Sequence, residues 1–412
     1  APGIQKICEC SGDGAGGERR QVRDELGVKW AFCASEGEDC ACPSRTVRFG
    51  TGGRWVISRP GAQGSPACTA AGFHWADPAE GLGKECWCQQ GSGGSTVTAR
   101  AAVVMLSRRA ADLRTWLRYH LDYARVEHVF LDVEDTPELN STWARLPPEH
   151  QRRITLWRGR PSGSGAEPRP ADDYESLQAR QREAMQRAKA EAARMGLEWL
   201  LHIDDDELLY APSGRPVGQL LAALPPGFSQ ALMPNVEAVY ESSAVRSCFS
   251  ETTRVNVNPV TFASYANGKA AVRVDAGAIA AGPHMWRASS GGDLPSIHLS
   301  KEPFGSPLLV VHFESCPLAR WEDKFWELGN TSPQKVDAIP FPFYKDSIRR
   351  MQRCRGAGAS ASRDRSRSPG CSREALARFW SSWKTAANPF LRRGDLMPIQ
   401  IPWDELLGPD GR

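Results

Sequence analysis

Four consecutive acids, Asp204, Asp205, Asp206 and Glu207, follow directly on the apolar run Trp199-Leu-Leu-His-Ile203. Carboxylates packed this closely repel one another, and a hard divalent cation with oxygen ligands, Mg²⁺ or Mn²⁺, relieves the repulsion. A metal held there can in turn hold a diphosphate. The alternative for such a tetrad is a solvated acidic turn after a strand. What precedes the acids favours the metal. Residues 172–195 carry the signals of a long helix: Asp172 or Asp173 at the N-cap, Glu175 and Glu183 early, Lys189 and Arg194 late, and Gly196 at the C-cap position. A helix, a glycine and a buried strand make half of a βαβ unit. Ligands of open α/β sheets bind beyond the carboxyl ends of strands, which is where the acids sit.

The elements that must position those acids follow one another along the chain. Residues 101–106 are a short apolar run with the character of a buried strand, and residues 112–123 place Leu113, Trp116, Leu117, His120 and Leu121 at helical spacing. A second strand over 128–133, a Pro-containing loop with a short helix, and a third strand over 154–157 come next. Alternation of strands and helices of these lengths predicts a parallel sheet with right-handed crossovers, a nucleotide-binding architecture. The expected fold class is therefore α/β, Rossmann-like and mainly parallel, preceded by a small disulfide-rich N-terminal domain.

That N-terminal domain is announced by its cysteines. Eight of the twelve lie before residue 90: Cys8, Cys10, Cys33, Cys40, Cys42, Cys68, Cys86 and Cys88. The surrounding segment is rich in glycine and poor in aliphatic residues, so core burial alone does not hold it. Structural zinc sites place two to four residues between their cysteines, and the Cys-x-Cys pairs here have one, so about four disulfides and an oxidising compartment are expected. Their pairing stays open. The aromatics of this segment, Trp30, Phe32, Phe49, Trp55, Phe73, Trp75 and Trp87, have two uses, stacking on sugar rings or supplying the core of a small domain, and the core is the expectation. The run Gln89-Gln-Gly-Ser-Gly-Gly-Ser95 has the composition of a flexible tether. Residues 1–90 are read as the cysteine-rich module, 91–100 as a linker and 101–350 as the main domain.

Composition bounds the function. A chain of 412 residues with 41% hydrophobic content fills two or three cores, and a mean hydropathy of −0.44 is that of a soluble protein. It contains no run of eighteen apolar residues, and it begins at Ala1 without an apolar signal region, so a targeting segment or membrane anchor is expected upstream or already removed. Net charge is +3 with acids and bases well mixed, which argues against nucleic acid as a partner.

Several motifs in order resemble the metal-dependent glycosyltransferases of the A-type fold, in particular family 92 and family-2-like enzymes of the secretory pathway. Asp112-Leu-Arg-Thr-Trp-Leu-Arg-Tyr-His120 is similar to the acidic-Leu-x-x-Trp-Leu-x-x-His helix that follows their first strand. His128 to Asp132 is similar to their His-x-Phe-x-x-Asp strand with one residue fewer, and Trp199 to Glu207 to their Trp-Leu-x-x-Ile-Asp-x-Asp-Glu centre. Gly268-Lys269 through Arg273, Pro283-His284, and Leu308 through His312-Phe313 with Lys324 complete the series. The resemblance covers roughly residues 100 to 350. It implies that Asp204 and Asp206 bind Mn²⁺ or Mg²⁺ bridging a nucleotide diphosphate, with His312 as third ligand and His284 as a further candidate. Asp132, Asp205, Lys269, Arg273, His284 and Lys324 would join Asp204 around a nucleotide-sugar donor, a UDP-sugar such as UDP-galactose by the habit of the family. An inverting transfer also needs a carboxylate base, for which Glu237, Asp293 and Glu314 are the candidates. Where the family has Lys-Asn-Glu or Arg-Asn-Glu after its first strand, this chain has Ser107-Arg-Arg-Ala110, where Arg108 and Arg109 have two uses, meeting a phosphate or base instead or standing in solvent.

Beyond Lys324 the resemblance ends. Residues 351–373 are a low-complexity Arg/Ser segment expected as an exposed loop that Cys354 and Cys371 could close, and residues 374–412 form a last helix and tail. Leu376, Phe379, Trp380 and Trp383 of that helix are expected to pack back on the main domain. Three functional classes follow. The first is a lumenal or secreted glycosyltransferase acting on a glycan or glycoprotein acceptor in the Golgi or beyond. The second is a carbohydrate-binding or matrix protein that keeps the fold without the activity. The third, a phosphatase of the Asp-x-Asp-x-Thr type, is disfavoured because Leu208 stands where the threonine belongs.

Overall fold

The computed structural model describes residues 20–23, 29–43, 46–51, 54–58, 67–73, 78–79, 81–90, 97–108, 110, 112–134, 136–158, 174–299, 307–356, 370–399 and 401–407. Cys8, Cys10, Trp75, Arg109, Asp172, Asp173, residues 91–95 of the tether and residues 357–369 of the Arg/Ser segment lie outside the described residues.

The amino-terminal sheet consists of β1 (Gln21–Arg23), β2 (Lys29–Ser35), β3 (Val47–Thr51), β4 (Arg54–Ser58) and β5 (Glu85–Gln89), antiparallel throughout in the order β1-β2-β5-β3-β4. Alternation along the strands puts Phe49, Cys86 and Cys88 on one face, where Phe73 stacks on Phe49 at 5.0 Å, and Arg48 and Trp87 on the other. Disulfides Cys33–Cys40, Cys42–Cys88 and Cys68–Cys86 staple it. Trp30, Phe49, Phe73 and Trp87 are buried. The Arg48 guanidinium, also buried, lies over the rings of Trp30, Trp55 and Trp87 at 4.8, 4.3 and 5.4 Å. These aromatics supply the core of a module too small to have an aliphatic one. Its buried face is continuous with the core of the larger unit, and Trp55, Val56 and Ile57 line a small cavity with Tyr210, Pro212, Met397 and Pro398.

The larger unit opens with β6 (Ala101–Ser107), buried along its whole length, then α1 (Leu113–Arg118), whose N-cap Asp112 accepts from Thr115 N–H. The helix runs on as a π turn over Tyr119–Tyr123. Next come β7 (His128–Val133), α2 (Leu139–Arg145), α3 (Pro148–Arg152), β8 (Ile154–Arg158), α4 (Tyr174–Arg194) and β9 (Trp199–His202). Strands β9, β6, β7 and β8 are adjacent and parallel, as the alternation predicts. Their near-continuous apolar runs reflect burial on both faces. Small residues on α4, Ala184, Ala188 and Ala192, let it settle onto Ala102, Val104 and Leu200. Gly196 after α4 has φ +66°, the left-handed conformation its C-cap position requires.

The chain continues through β10 (Glu207–Tyr210), α5 (Val217–Ala222), β11 (Gln230–Met233), β12 (Asn235–Val239), β13 (Arg254–Asn256), β14 (Lys269–Arg273), β15 (Ala278–Gly282), β16 (Met285–Ala288), β17 (Ser296–His298) and β18 (Leu309–His312). Helices α6 (Leu318–Leu328), α7 (Pro333–Ala338), α8 (Pro342–Gly356) and α9 (Arg373–Lys384) follow, then β19 (Leu396–Pro398) and α10 (Trp403–Leu407). β14 joins β9 antiparallel, and β11 and β17 extend it, giving a seven-stranded mixed sheet ordered β17-β11-β14-β9-β6-β7-β8. A second sheet, β10-β18-β12-β13-β19, sets Glu207 opposite His312 on one side and Glu237 opposite it on the other. Helix α9 packs back through Leu376 and Trp380, and Trp380 Nε1 donates to Ser315 O at 2.8 Å.

Cys354 pairs with Cys371 as expected, and Cys248–Cys316 is an additional bridge that the cysteine pattern does not reveal. It spans 68 residues and ends two positions after Glu314. Loop-closure entropy gives such a bridge on the order of 4 kcal/mol. Cys248→Ser/Cys316→Ser is expected to lower the urea-unfolding free energy by about that much; a change below about 1 kcal/mol would mean that the unfolded segment is already constrained.

Candidate metal centre at the acidic turn

Between the end of β9 at His202 and the start of β10 at Glu207, the acids occupy a tight turn. The α1 segment holds it from one side. Trp116 Nε1 donates to the carbonyls of Asp204 at 3.1 Å and Glu207 at 2.8 Å, and Tyr119 Oη donates to Leu209 O at 2.8 Å. Leu209 N–H donates to His120 Nε2 at 3.3 Å, so the Nδ1 hydrogen of His120 goes to Trp116 O at 3.0 Å. Burial lowers the pKa of His120 to about 3, which keeps the ring neutral for this task. Trp and His of the first helical motif therefore serve the acidic turn directly.

Lys269 supplies the buried cation. Its side chain is fully enclosed, with Nζ 2.5 Å from Asp204 Oδ2 and 3.2 Å from Glu207 Oε2. Burial alone would lower its pKa, but the two carboxylates hold it above its ordinary value. Glu207 goes the other way: burial lifts it to about 8, against the pull of Lys269. Burial also works against the charge on Asp204, yet Lys269 and His202 outweigh it and hold this carboxyl well below the usual range. The firmly ionised pair is thus Asp204 with Lys269, while burial pushes Glu207 toward its protonated form. Asp204 Oδ1 accepts from Gln181 Nε2 at 2.8 Å and lies 3.6 Å from His202 Nε2. Both oxygens of Asp204, expected as a metal ligand, are engaged by protein groups.

Asp205, expected near the donor, faces Arg320 at 2.7 Å and accepts from Arg108 N–H at 3.3 Å. Burial raises it to about 6, with Arg320 opposing and Asp206 reinforcing. Asp206 is oriented differently. Phe313 N–H donates to its carbonyl at 2.8 Å, and its half-buried carboxylate turns toward His312, with Oδ1 3.7 Å from Nε2. Glu314 Oε2 lies 3.6 Å from the same nitrogen, and one ligand atom from each of Asp206, His312 and Glu314 falls within 4.8 Å of the others. Glu314 Oε1 accepts from Lys324 Nζ at 2.8 Å and from Ser315 Oγ, and Oε2 from Tyr344 Oη at 2.6 Å, so a cation on Glu314 would share Oε2 with that hydroxyl. Burial disfavours its charge, but Lys324, His312 and these hydrogen bonds keep the carboxyl well below the usual range. Two carboxylates and one imidazole, converging and partly sheltered, fit a divalent cation, and the nitrogen makes Mn²⁺ a better match than Mg²⁺.

The remaining predicted residues are distributed unevenly. Lys324 reaches the centre through Glu314 and Tyr344. His284, lowered to about 3 chiefly by burial, binds Gly268 O through Nδ1 at 2.8 Å and packs on Tyr265, whose ring lies 4.4 Å from it and 4.8 Å from His312. Arg273 does not join: it pairs with Trp199 at the amino end of β9, covers that ring at 4.4 Å and donates to Phe228 O. Strand rise puts it about 13 Å from Lys269, at the wrong end of the sheet. Asp132, on β7, is half-buried and lifted to about 6 mainly by burial. Asp293 is exposed in the turn before β17. Glu237 is buried with its oxygens filled: Oε2 accepts from Ala263 N–H at 2.7 Å, and Oε1 from Ser264 N–H at 2.9 Å and Ser264 Oγ at 3.1 Å. A carboxylate so saturated is poorly suited to act as the base. Gln181, His202, Ser264, Tyr265, Arg320 and Tyr344 were not anticipated. Only Arg320 had a signal, standing one helical turn before Lys324 on the same face of α6.

Lys269→Met strands Asp204 with a buried partner carboxyl and is expected to cost about 3–5 kcal/mol in urea unfolding. The stability from depressed Asp204 and Glu314 is present above their unfolded values near 3.8 and 4.5 and is lost as pH falls below them. The contribution of Glu207, whose pKa is raised, is present below about 4.5 and lost as pH rises through about 8. Glu207→Gln should therefore flatten only the limb between those two values in the pH profile of the urea midpoint.

No family model matches the chain. It is 31% identical over 125 residues to a glycosyltransferase-like protein of Arabidopsis thaliana, covering 25% of this chain and 24% of that protein. A second glycosyltransferase-like protein of the same plant is 28% identical over 125 residues, 25% of this chain and 28% of its own length. The chain thus spans about a quarter of the length of the curated relatives it matches. Among solved structures, a CMP:2-keto-3-deoxy-manno-octonic acid synthetase complexed with CTP aligns at 16% identity over 43% of this chain and 75% of that one. Its TM-score of 0.23 is too low for the likeness to carry weight. The sequence similarity is therefore to glycosyltransferase-like proteins, over a limited stretch.

Proposed function

We propose that the chain is a metal-dependent glycosyltransferase that moves a sugar from a nucleotide-diphosphate donor to a glycan or glycoprotein acceptor in the secretory pathway. The observation that carries this is the convergence of Asp206, His312 and Glu314 beside the acidic turn that follows β9. The partial similarity to glycosyltransferase-like proteins supports the same class. Five disulfides, and no helix long and apolar enough to cross a membrane among the described residues, are consistent with a secreted or lumenal protein.

In this proposal Asp206 and His312 hold the cation and Glu314 completes the set. When bound, Mn²⁺ would neutralise charge on the leaving diphosphate. The work of this chain is to keep the ligands in place. Lys269 pins Asp204 and so fixes the turn, Arg320 pins Asp205, and Lys324 with Tyr344 hold Glu314. Glu314, kept ionised, serves as a ligand rather than a base. A second reading, a transferase fold that binds without transferring, draws on the turn after β6, where Arg108 lies 3.4 Å from Glu327 instead of the family's Asn-Glu.

Calorimetry with UDP and UDP-galactose tests the proposal. Wild-type protein is expected to bind in the presence of Mn²⁺ and not with chelator. Asp206→Ala or His312→Ala should weaken Mn²⁺-dependent binding by more than about tenfold. Absence of metal-dependent binding to a panel of nucleotide sugars, by protein shown to be folded, would overturn it. Slow Mn²⁺-dependent hydrolysis of the donor separates an active transferase from the non-transferring alternative.

A further inference from the structure

We propose that Glu237, acting through Ser264, is a positioning residue that sets which ring nitrogen of His312 faces the metal centre. The inference rests on the reading of Asp206, His312 and Glu314 as that centre. Hydrogen-bond direction carries it. An ionised carboxylate only accepts, so the single hydroxyl hydrogen of Ser264 is committed to Glu237 Oε1 at 3.1 Å. Lys384 Nζ, buried and 3.9 Å from Glu237 Oε2, supplies the counter-charge. Ser264 Oγ also lies 3.1 Å from His312 Nδ1, and with its hydrogen already given it can only accept there. Nδ1 must then carry the ring hydrogen. Nε2 is the nitrogen left facing Asp206 at 3.7 Å and Glu314 at 3.6 Å, and it offers its lone pair to a cation that displaces any proton held between those carboxylates. The parallel register of β12 and β18, which pairs Glu237 with His312, brings the two ends of this chain together. Metal-binding histidines are commonly oriented by the bond their other nitrogen makes, and here that bond is a serine relay backed by a carboxylate.

Nitrogen-15 NMR of metal-free, histidine-labelled protein reads the tautomer directly. The chain has eight histidines, and the His312 signal is identified by its loss in His312→Gln. Wild type is expected to show His312 with hydrogen on Nδ1. Ser264→Ala should give a mixture or the opposite tautomer and lower Mn²⁺ affinity roughly ten- to a hundredfold, and Ser264→Thr, which keeps the hydroxyl, should restore both. Hydrogen on Nε2 with none on Nδ1 in wild type, or a tautomer and affinity unchanged in Ser264→Ala, would overturn the relay. Should Ser264→Ala fail to fold, the wild-type spectrum alone still decides the direction of the bond. Wild type that shows the Nδ1 tautomer but binds no Mn²⁺ would instead overturn the metal reading.

An independent observation concerns modification. Asn140-Ser141-Thr142 is an acceptor sequence for asparagine-linked glycans, and Asn140 is exposed at the start of α2. The disulfides are consistent with the compartment where such transfer occurs. The side-chain oxygens of both acceptor asparagines accept from an arginine, Asn140 from Arg158 at 3.4 Å and Asn330 from Arg355, and what sets the other match, Asn330-Thr331-Ser332, apart is the Pro333 that follows it. We infer that Asn140 carries an N-linked glycan. Its amide nitrogen would attack the anomeric carbon of a lipid-linked oligosaccharide diphosphate, forming the C–N bond, expelling the lipid diphosphate and losing one amide proton. Full-length protein secreted from a eukaryotic host should lose mass on treatment with peptide-N-glycosidase, with Asn140 converted to Asp. Asn140→Gln should abolish that mass loss and Asn330→Gln should not. Unmodified Asn140 in the secreted protein would overturn the inference.

Discussion

A single buried ammonium organises this molecule. Lys269 enters the space between Asp204 and Glu207 from β14, and without it two carboxyls would be shut in a low-dielectric turn with no counter-charge. Its approach depends on Gly268, which has φ +64° and where a Cβ would fall 1.9 Å from Met233 O. A glycine is needed there so that β14 can start beside the turn. With Asp204 and Glu207 occupied on the inner side, Asp206 is left to face outward toward His312 and Glu314. The pattern of acids therefore divides into residues that hold the turn and one that serves the candidate centre.

The surrounding structure follows from keeping that turn in place. Trp116 satisfies two of its carbonyls, and Tyr119 and His120 satisfy the carbonyl and N–H of Leu209 in β10, so an apolar helix face also does the polar work of capping the turn. On the far side β18 brings His312 into register with both Glu207 and Glu237. Cys248–Cys316 and the Trp380 bond to Ser315 brace the segment just after Glu314. Unpaired buried polar groups are costly, which favours the convergence of so many distant segments here, and His202 Nε2, Glu207 Oε1 and Arg320 Nη1 are left without a hydrogen-bond partner among the described residues.

The parallel half of the fold was legible because β6, β7, β8 and β9 are largely apolar runs alternating with segments of helical character. β11, β13, β14 and β17 were not, since they lack such apolar runs and are defined by long-range pairing and not by local pattern. At the site, Asp206 and His312 stood out through resemblance. Lys269 and Arg273 share a strand face by their spacing, but spacing cannot say that they lie at opposite ends of the neighbouring strand. Nor could it show Asp204 turned to a lysine, or Glu237 saturated by the loop at Ala263 and Ser264. Those roles arise from segments distant in sequence meeting in space.

Where Mn²⁺ binds is the most direct test of the central claim. Crystals grown with MnCl₂ and UDP, with diffraction collected above the manganese edge, would show an anomalous peak at the bound ion. A peak bonded to Asp206 and His312, with Asp204 still paired to Lys269, is the predicted result. A peak on Asp204 with Lys269 displaced, or no peak in the acidic turn, would contradict it.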